Sequence, residues 1–257
     1  MHRTKLAVIV VLFVIISTLP QSGGALLAVA QGAGFAVCHQ LPEHSLHMDG
    51  QQLPLCARCT GIYLGFLVGL LGLALQGKLR ASTLPSWSMV GILLSSFVLM
   101  GLDGFNSLQA SFGEAPQWYQ STNLLRLATG TAAGVSLALL MMPLLNDALW
   151  AEPDRSASVD DLGDLVGYAI LASLVVALAN SEHPAMLFPS ALAGAAGVIA
   201  ALSVAGATLA STLLGRKIVG VAWAHASRPL SAGLALAIFA IALVGGARAY
   251  FSLPLGL

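Results

Sequence analysis

A succession of apolar runs, each near the length that crosses a bilayer, restricts this chain more than any other feature. They cover residues 6–19, 25–37, 61–75, 88–102, 124–145, 165–179, about 189–214 and 230–249. Backbone groups in lipid must find their hydrogen bonds within the segment, so runs of this kind are helices. A span needs roughly 17–25 such residues. The first two runs flank Pro20-Gln21-Ser22-Gly23-Gly24, which marks a kink or a break between segments. The expectation is an all-α polytopic membrane bundle of about seven transmembrane helices.

Composition agrees. Hydrophobic residues make up 57% and charged residues 9%, against about 45–50% and about 25% in soluble domains. Eleven basic residues balance eleven acidic ones with no basic run, which argues against a nucleic-acid partner and leaves the lipid bilayer as the expected environment. Three cysteines are too few for a disulfide-stapled scaffold.

Basic residues orient the bundle. If the helices alternate, Arg3, Lys5, Lys78, Arg80, Arg155, Arg216, Lys217 and Arg228 fall on one side, and only Arg58, Arg126 and Arg248 on the other. This predicts a cytoplasmic N-terminus in a prokaryotic inner membrane, with residues 31–59 emerging outside. Residues 1–30 read as a first membrane segment or a signal-like anchor. Ala28-Val29-Ala30 resembles a cleavage site, although the distance from the apolar core favours retention. Residues 31–145 read as the core domain and 165–257 as a three-helix extension. Between them, 146–164 carries six acidic residues against Arg155 and reads as a flexible cytoplasmic linker.

The groups capable of chemistry gather in one place. All three cysteines, Cys38, Cys56 and Cys59, lie within 22 residues, together with His39, His44 and His47. A Cys-x-x-Cys pair with a third Cys and a His supplies the ligands of a tetrahedral zinc site. His39 is the first candidate for the fourth position, with His44 and His47 as alternatives. Four protein ligands would make the ion structural, whereas three would leave a position where water is activated. A Cys-x-x-Cys at a helix N-terminus equally suits redox chemistry, since the helix dipole and Arg58 would lower a thiol pKa. In that case Cys38 resolves the pair and a quinone takes the electrons. A third reading is a non-enzymatic assembly or interaction subunit.

Other polar residues map to the same depth. Asp103 ends the third span, and Asn123 and Arg126 share a face at the start of the fourth. An unpaired charge there is costly, so Arg126 is expected to pair with Asp103. Gly61, Gly65 and Gly69, like Gly130 and Gly134, recur every four residues and predict a close helix pair. That contact would set the Cys loop beside Asn123 and Arg126, with Tyr63 and Thr129 lining the same polar pocket. Glu114, Trp118 and Tyr119 read as an outer loop with interfacial aromatics, Asn180-Ser181-Glu182-His183 as a polar turn, and Trp223 and His225 as interfacial residues. No phosphate loop, His-Glu-x-x-His or nucleophile elbow is present.

The stretch Cys38-His39-Gln40 through Pro54-Leu55-Cys56-Ala57-Arg58-Cys59-Thr60-Gly61-Ile62-Tyr63 resembles the signature of an uncharacterised family of small prokaryotic membrane proteins, classed as a domain of unknown function. Asp103-Gly104, Ser121-Thr122-Asn123 with Arg126, and Thr129-Gly130 are similar to its later motifs, in order. The resemblance covers about residues 35–145. It implies a shared membrane domain and a Cys/His site, with no activity to carry over. His44 stands where the family pattern has an Arg, which favours His39 as the shared ligand.

Overall fold

The computed structural model describes residues 24–112, 118–213 and 223–252. The run at 6–19, Arg3, Lys5, Glu114, Arg216 and Lys217 lie outside the described residues, as do the side chains of Trp223 and His225. Among the described residues seven α-helices follow one another: α1 (Gly24–Val37), α2 (Ala57–Leu75), α3 (Trp87–Phe112), α4 (Asn123–Leu149), α5 (Leu162–Asn180), α6 (Leu187–Leu213) and α7 (Trp223–Ser252). All but the 14-residue α1 are long and apolar enough to cross a membrane. The protein is therefore an all-α polytopic membrane bundle.

The helices differ in what they bury. Half or more of the apolar windows of α2, α4 and α6 is enclosed, against 11–17% for α3, α5 and α7. The first three form the centre and the others present their apolar faces outward, as lipid permits. Glycine sets the tightest contact. A Cβ on Gly61 or Gly65 would run into the backbone carbonyls of Leu127 and Thr131, and one on Gly130 or Gly134 into those of Arg58 and Ile62. These contacts advance together along both chains, so α2 and α4 are parallel. Their N-termini lie at the same end of the bundle.

Two short β elements close the ends. At the end where α2 and α4 begin, β1 (Ser45–Met48) and β2 (Gln51–Cys56) form an antiparallel hairpin pairing Met48 with Gln51 and Ser45 with Cys56. Its two-residue turn, Asp49-Gly50, has φ of 52° and 73°. Asp-Gly is the favoured pair where both central residues take left-handed backbone. At the opposite end β3 (Ala81–Thr83) and β4 (Asp154–Ala157) pair in parallel.

That second pairing corrects the expectation of a flexible linker at 146–164. Helix α4 continues to Leu149, and Trp150, Ser158 and Val159 are buried. Asn146 Nδ2 donates to the carbonyls of Leu79 and Ala81, both at 2.9 Å. Lys78 Nζ reaches Asp160 at 2.9 Å and Asp164 at 2.8 Å. The acidic charge that reads as solvation is partly spent on docking this segment. Among the described residues, the basic side chains separate by end. Lys78, Arg80 and Arg155 lie here, whereas Arg58, Arg126 and Arg248 lie at the hairpin end.

Candidate metal centre

The cysteines converge because three elements end at one point. Cys38 directly follows α1, Cys56 ends β2 and is the N-cap of α2, and Cys59 lies in the first turn of α2. Their sulfur atoms all lie within 4.8 Å of one another. Cys38 and Cys56 are buried and Cys59 is partly exposed. All three are free thiols, walled by Val37, Leu55, Tyr63, Val198, Leu202 and Ile241.

The turn after Cys38 is shaped around its sulfur. Gln40 has φ of 57°, a left-handed conformation uncommon for a residue with a side chain. This brings the Gln40 N–H to 3.5 Å from Cys38 Sγ, and the Cys56 N–H donates to the same sulfur at 3.2 Å. The Gln40 amide is tied in turn, Nε2 donating to the Pro54 carbonyl at 2.7 Å. Gln52 Nε2 donates to the Gln40 carbonyl at 2.8 Å and to Ser45 Oγ at 3.1 Å. Hydrogen bonds from the Cys56 and Cys59 thiols, then from these backbone N–H groups, hold the Cys38 sulfur well below the usual thiol range against the opposing effect of burial. The same sharing, with burial, pushes the Cys56 thiol up. Charge on one sulfur therefore opposes ionisation of its neighbours. A bound cation would offset that repulsion.

The structure does not bring His39 into this group. Its side chain is exposed, and Nδ1 accepts the Leu41 N–H at 3.0 Å. The reason is the chirality of the turn: with Cys38 facing inward and Gln40 left-handed, the intervening side chain points out. Its ring stacks edge-on against His44, with centroids 5.6 Å apart. His47 sits within β1, opposite Gln52. Among the described residues no imidazole, carboxylate or fourth thiol joins the three sulfurs.

The polar pocket assembles with a different pairing. Asp103, 1% exposed, forms an ion pair with Arg58, not Arg126. Its other oxygen accepts from Ser121 Oγ at 2.7 Å and Tyr119 Oη at 3.1 Å. Arg58 Nη2 also donates to Ser107 Oγ at 3.3 Å. Arg126 Nη1 instead donates to Asn123 Oδ1, one turn earlier, at 2.9 Å. Arg58 projects from the first turn of α2 straight at α3, and three donors already occupy the carboxylate. This also directs Arg58 away from the thiols that its place in the sequence would have it activate. Asn123 completes the assembly by donating through Nδ2 to the Ser45 carbonyl at 3.1 Å, pinning the hairpin to α4. Tyr63 packs against the cysteines, while Thr129 back-bonds to the Leu125 carbonyl at 2.8 Å. A groove of about 450 Å³ between α3 and α4 has Asp103, Tyr119 and Thr129 among its lining. The polar turn at Glu182 and His183 is exposed and does not join the cysteine group.

Sequence reasoning assigns no role to Gln40, Gln52 or Ser121, and takes Tyr119 for an interfacial anchor. The Asp49-Gly50 pair between apolar-alternating flanks is the signal that would have exposed the hairpin, and with it the roles of both glutamines.

Residues 38–140 match a family described as Predicted membrane protein (DUF2085). An uncharacterised protein of Methanothermobacter thermautotrophicus is 35% identical over 105 residues, 40% of this chain and 83% of the relative. The chain belongs to this family. A second relative, an uncharacterised protein of Methanocaldococcus jannaschii, is 30% identical over 115 residues, 44% of this chain and 67% of its own length. No solved structure matches. The DUF2085 region runs from Cys38 into α4 and contains every cysteine. Helices α5, α6 and α7 lie beyond it.

Proposed function

We propose that this DUF2085 protein is a membrane metalloprotein that holds one zinc ion through Cys38, Cys56 and Cys59 at the extracytoplasmic end of the bundle. The convergence of three sulfurs from three separate elements carries the reading. Zinc–thiolate bonds of about 2.3 Å in tetrahedral geometry put sulfurs roughly 3.8 Å apart, within the spread found here. The N–H groups aimed at Cys38 Sγ are what a metal-bound thiolate requires around it.

Three protein ligands leave a fourth position for water or an exogenous donor, which is the arrangement of a Lewis-acid site. His39 would have to give up the Leu41 N–H and turn inward to fill it. The Arg58–Asp103 pair and the Arg126–Asn123 pair brace the surrounding loop, leaving Arg126 as a buried cation with no carboxylate on it among the described residues. The separation of the described basic residues by end supports this orientation.

A thiol–disulfide exchange reaction needs an accessible thiolate. Of the Cys-x-x-Cys pair, Cys56 is 2% exposed and only Cys59 is partly open, and Cys38 is 5% exposed, which favours metal. The discriminating experiment is metal content with free-thiol titration on protein purified without oxygen. About one zinc per chain, lost in Cys56→Ser, is expected from a set of three thiolate ligands. Metal-free protein with a single free thiol overturns the proposal in favour of a disulfide pair.

A further inference from the structure

Helix α7 lies outside the DUF2085 region, yet it reaches the site. One guanidinium nitrogen of Arg248, Nη1, donates to the carbonyl of Phe35 at 2.7 Å and also to that of Cys38. Nη2 donates to the His39 carbonyl at 3.3 Å. The guanidinium also lies 4.3 Å from the centre of the Phe35 ring. Some 210 residues of sequence separate the two partners.

The placement has a physical logic. The last carbonyls of α1 have no partner within the helix, and a cation is favoured where they point. Arg248 meets that need for one carbonyl in the last turn of α1. It then continues onto the two carbonyls at and after Cys38, so the chain is held on both sides of the sulfur-bearing residue. Backbone N–H groups fix the sulfur from within, and Arg248 fixes its backbone from without. The neighbouring contacts agree: Ile241 of α7 and Val198 of α6 wall the cysteines, and a Cβ on Gly197 would run into the Tyr63 carbonyl.

We propose that Arg248 is a positioning residue for the cysteine centre, and that the last two helices are a built-in cover for it rather than an independent module. The proposal deepens the zinc reading and rests on it for its purpose, but its geometry is separate.

The test uses the full-length chain in two backgrounds. With Cys56→Ser and Cys59→Ser, Cys38 is the one thiol left, and its alkylation by a maleimide is timed without any metal. Arg248→Gln is expected to speed that reaction about tenfold or more, the factor that a lost charge-assisted hydrogen bond corresponds to. Arg248→Lys keeps the charge but not the fork, and is expected to fall between. Arg228→Gln, at the far end of the same helix, should leave the rate unchanged. With all three cysteines present, Arg248→Gln should also lower zinc retention against a chelator. Equal alkylation rates across the Arg248 variants overturn the proposal. So does equal acceleration by Gln and Lys that tracks loss of cooperative unfolding. Wild-type protein without zinc refutes the metal reading alone, since the alkylation series still reports on Arg248.

Discussion

Replacing Asp103 by Asn tests the polar network directly. The substitution keeps the shape of the side chain and removes its charge. Asp103 is 1% exposed and accepts from Arg58, Ser121 and Tyr119. An amide can still accept at one oxygen, but its NH2 group then faces donors. Breaking a buried ion pair by removing one partner costs about 3–5 kcal/mol. Arg58 retains 20% of its side-chain exposure, so water recovers part of that loss. The expected destabilisation is about 2–3 kcal/mol, read as a shift in equilibrium unfolding in mixed micelles. A double-mutant cycle assigns the partner. Asp103→Asn with Arg58→Gln should show a coupling above about 1 kcal/mol, and Asp103→Asn with Arg126→Gln a distinctly smaller one. A larger coupling to Arg126 would refute the pairing seen here, as would rescue by exchanging Asp103 with Arg126 but not with Arg58.

Further outcomes follow from other parts of the molecule. Gly134→Ala puts a methyl group into the Ile62 carbonyl and should cost about 1–3 kcal/mol of stability, whereas Gly167→Ala, with nothing within 4 Å, should be near neutral by the same equilibrium unfolding assay. Burial, and then the neighbouring Arg126 and His39, hold the His44 imidazole below its ordinary 6.5, so the unfolded chain takes up the proton first. Stability should therefore fall as pH drops below about 6.5, and His44→Gln should flatten that slope in melting temperature against pH. Asn146→Ala removes the hydrogen bonds to the Leu79 and Ala81 carbonyls and should open 151–161 to limited proteolysis, a change that a merely solvated linker would not show.

What is legible in the sequence, and what is not, divides along physical lines. The spans can be read because lipid demands long apolar runs. The α2–α4 contact can be read because only glycine lets backbones approach so closely, and Gly61, Gly65, Gly130 and Gly134 repeat at helical spacing. The cysteines can be brought together on paper because Cys56 and Cys59 share a turn and Cys38 sits one hairpin away. The partner of Asp103 cannot, since depth in the bilayer is the same for Arg58 and Arg126 and only the direction of each side chain decides. His39 is misplaced by adjacency: neighbours in a turn face opposite ways once Gln40 goes left-handed. The segment at 146–164 is hidden by its charge, because a short parallel pairing leaves no periodic trace. Helices α6 and α7 look separate because nothing local to Gly197 or Arg248 points at residues more than a hundred positions earlier.

The proposal that the three thiols share a zinc ion is most directly tested by X-ray absorption at the zinc edge on the purified, membrane-extracted chain. Three sulfur neighbours at about 2.3 Å with one lighter oxygen or nitrogen donor are expected. A shell of nitrogen and oxygen alone, or an unchanged spectrum in Cys38→Ser, would contradict it.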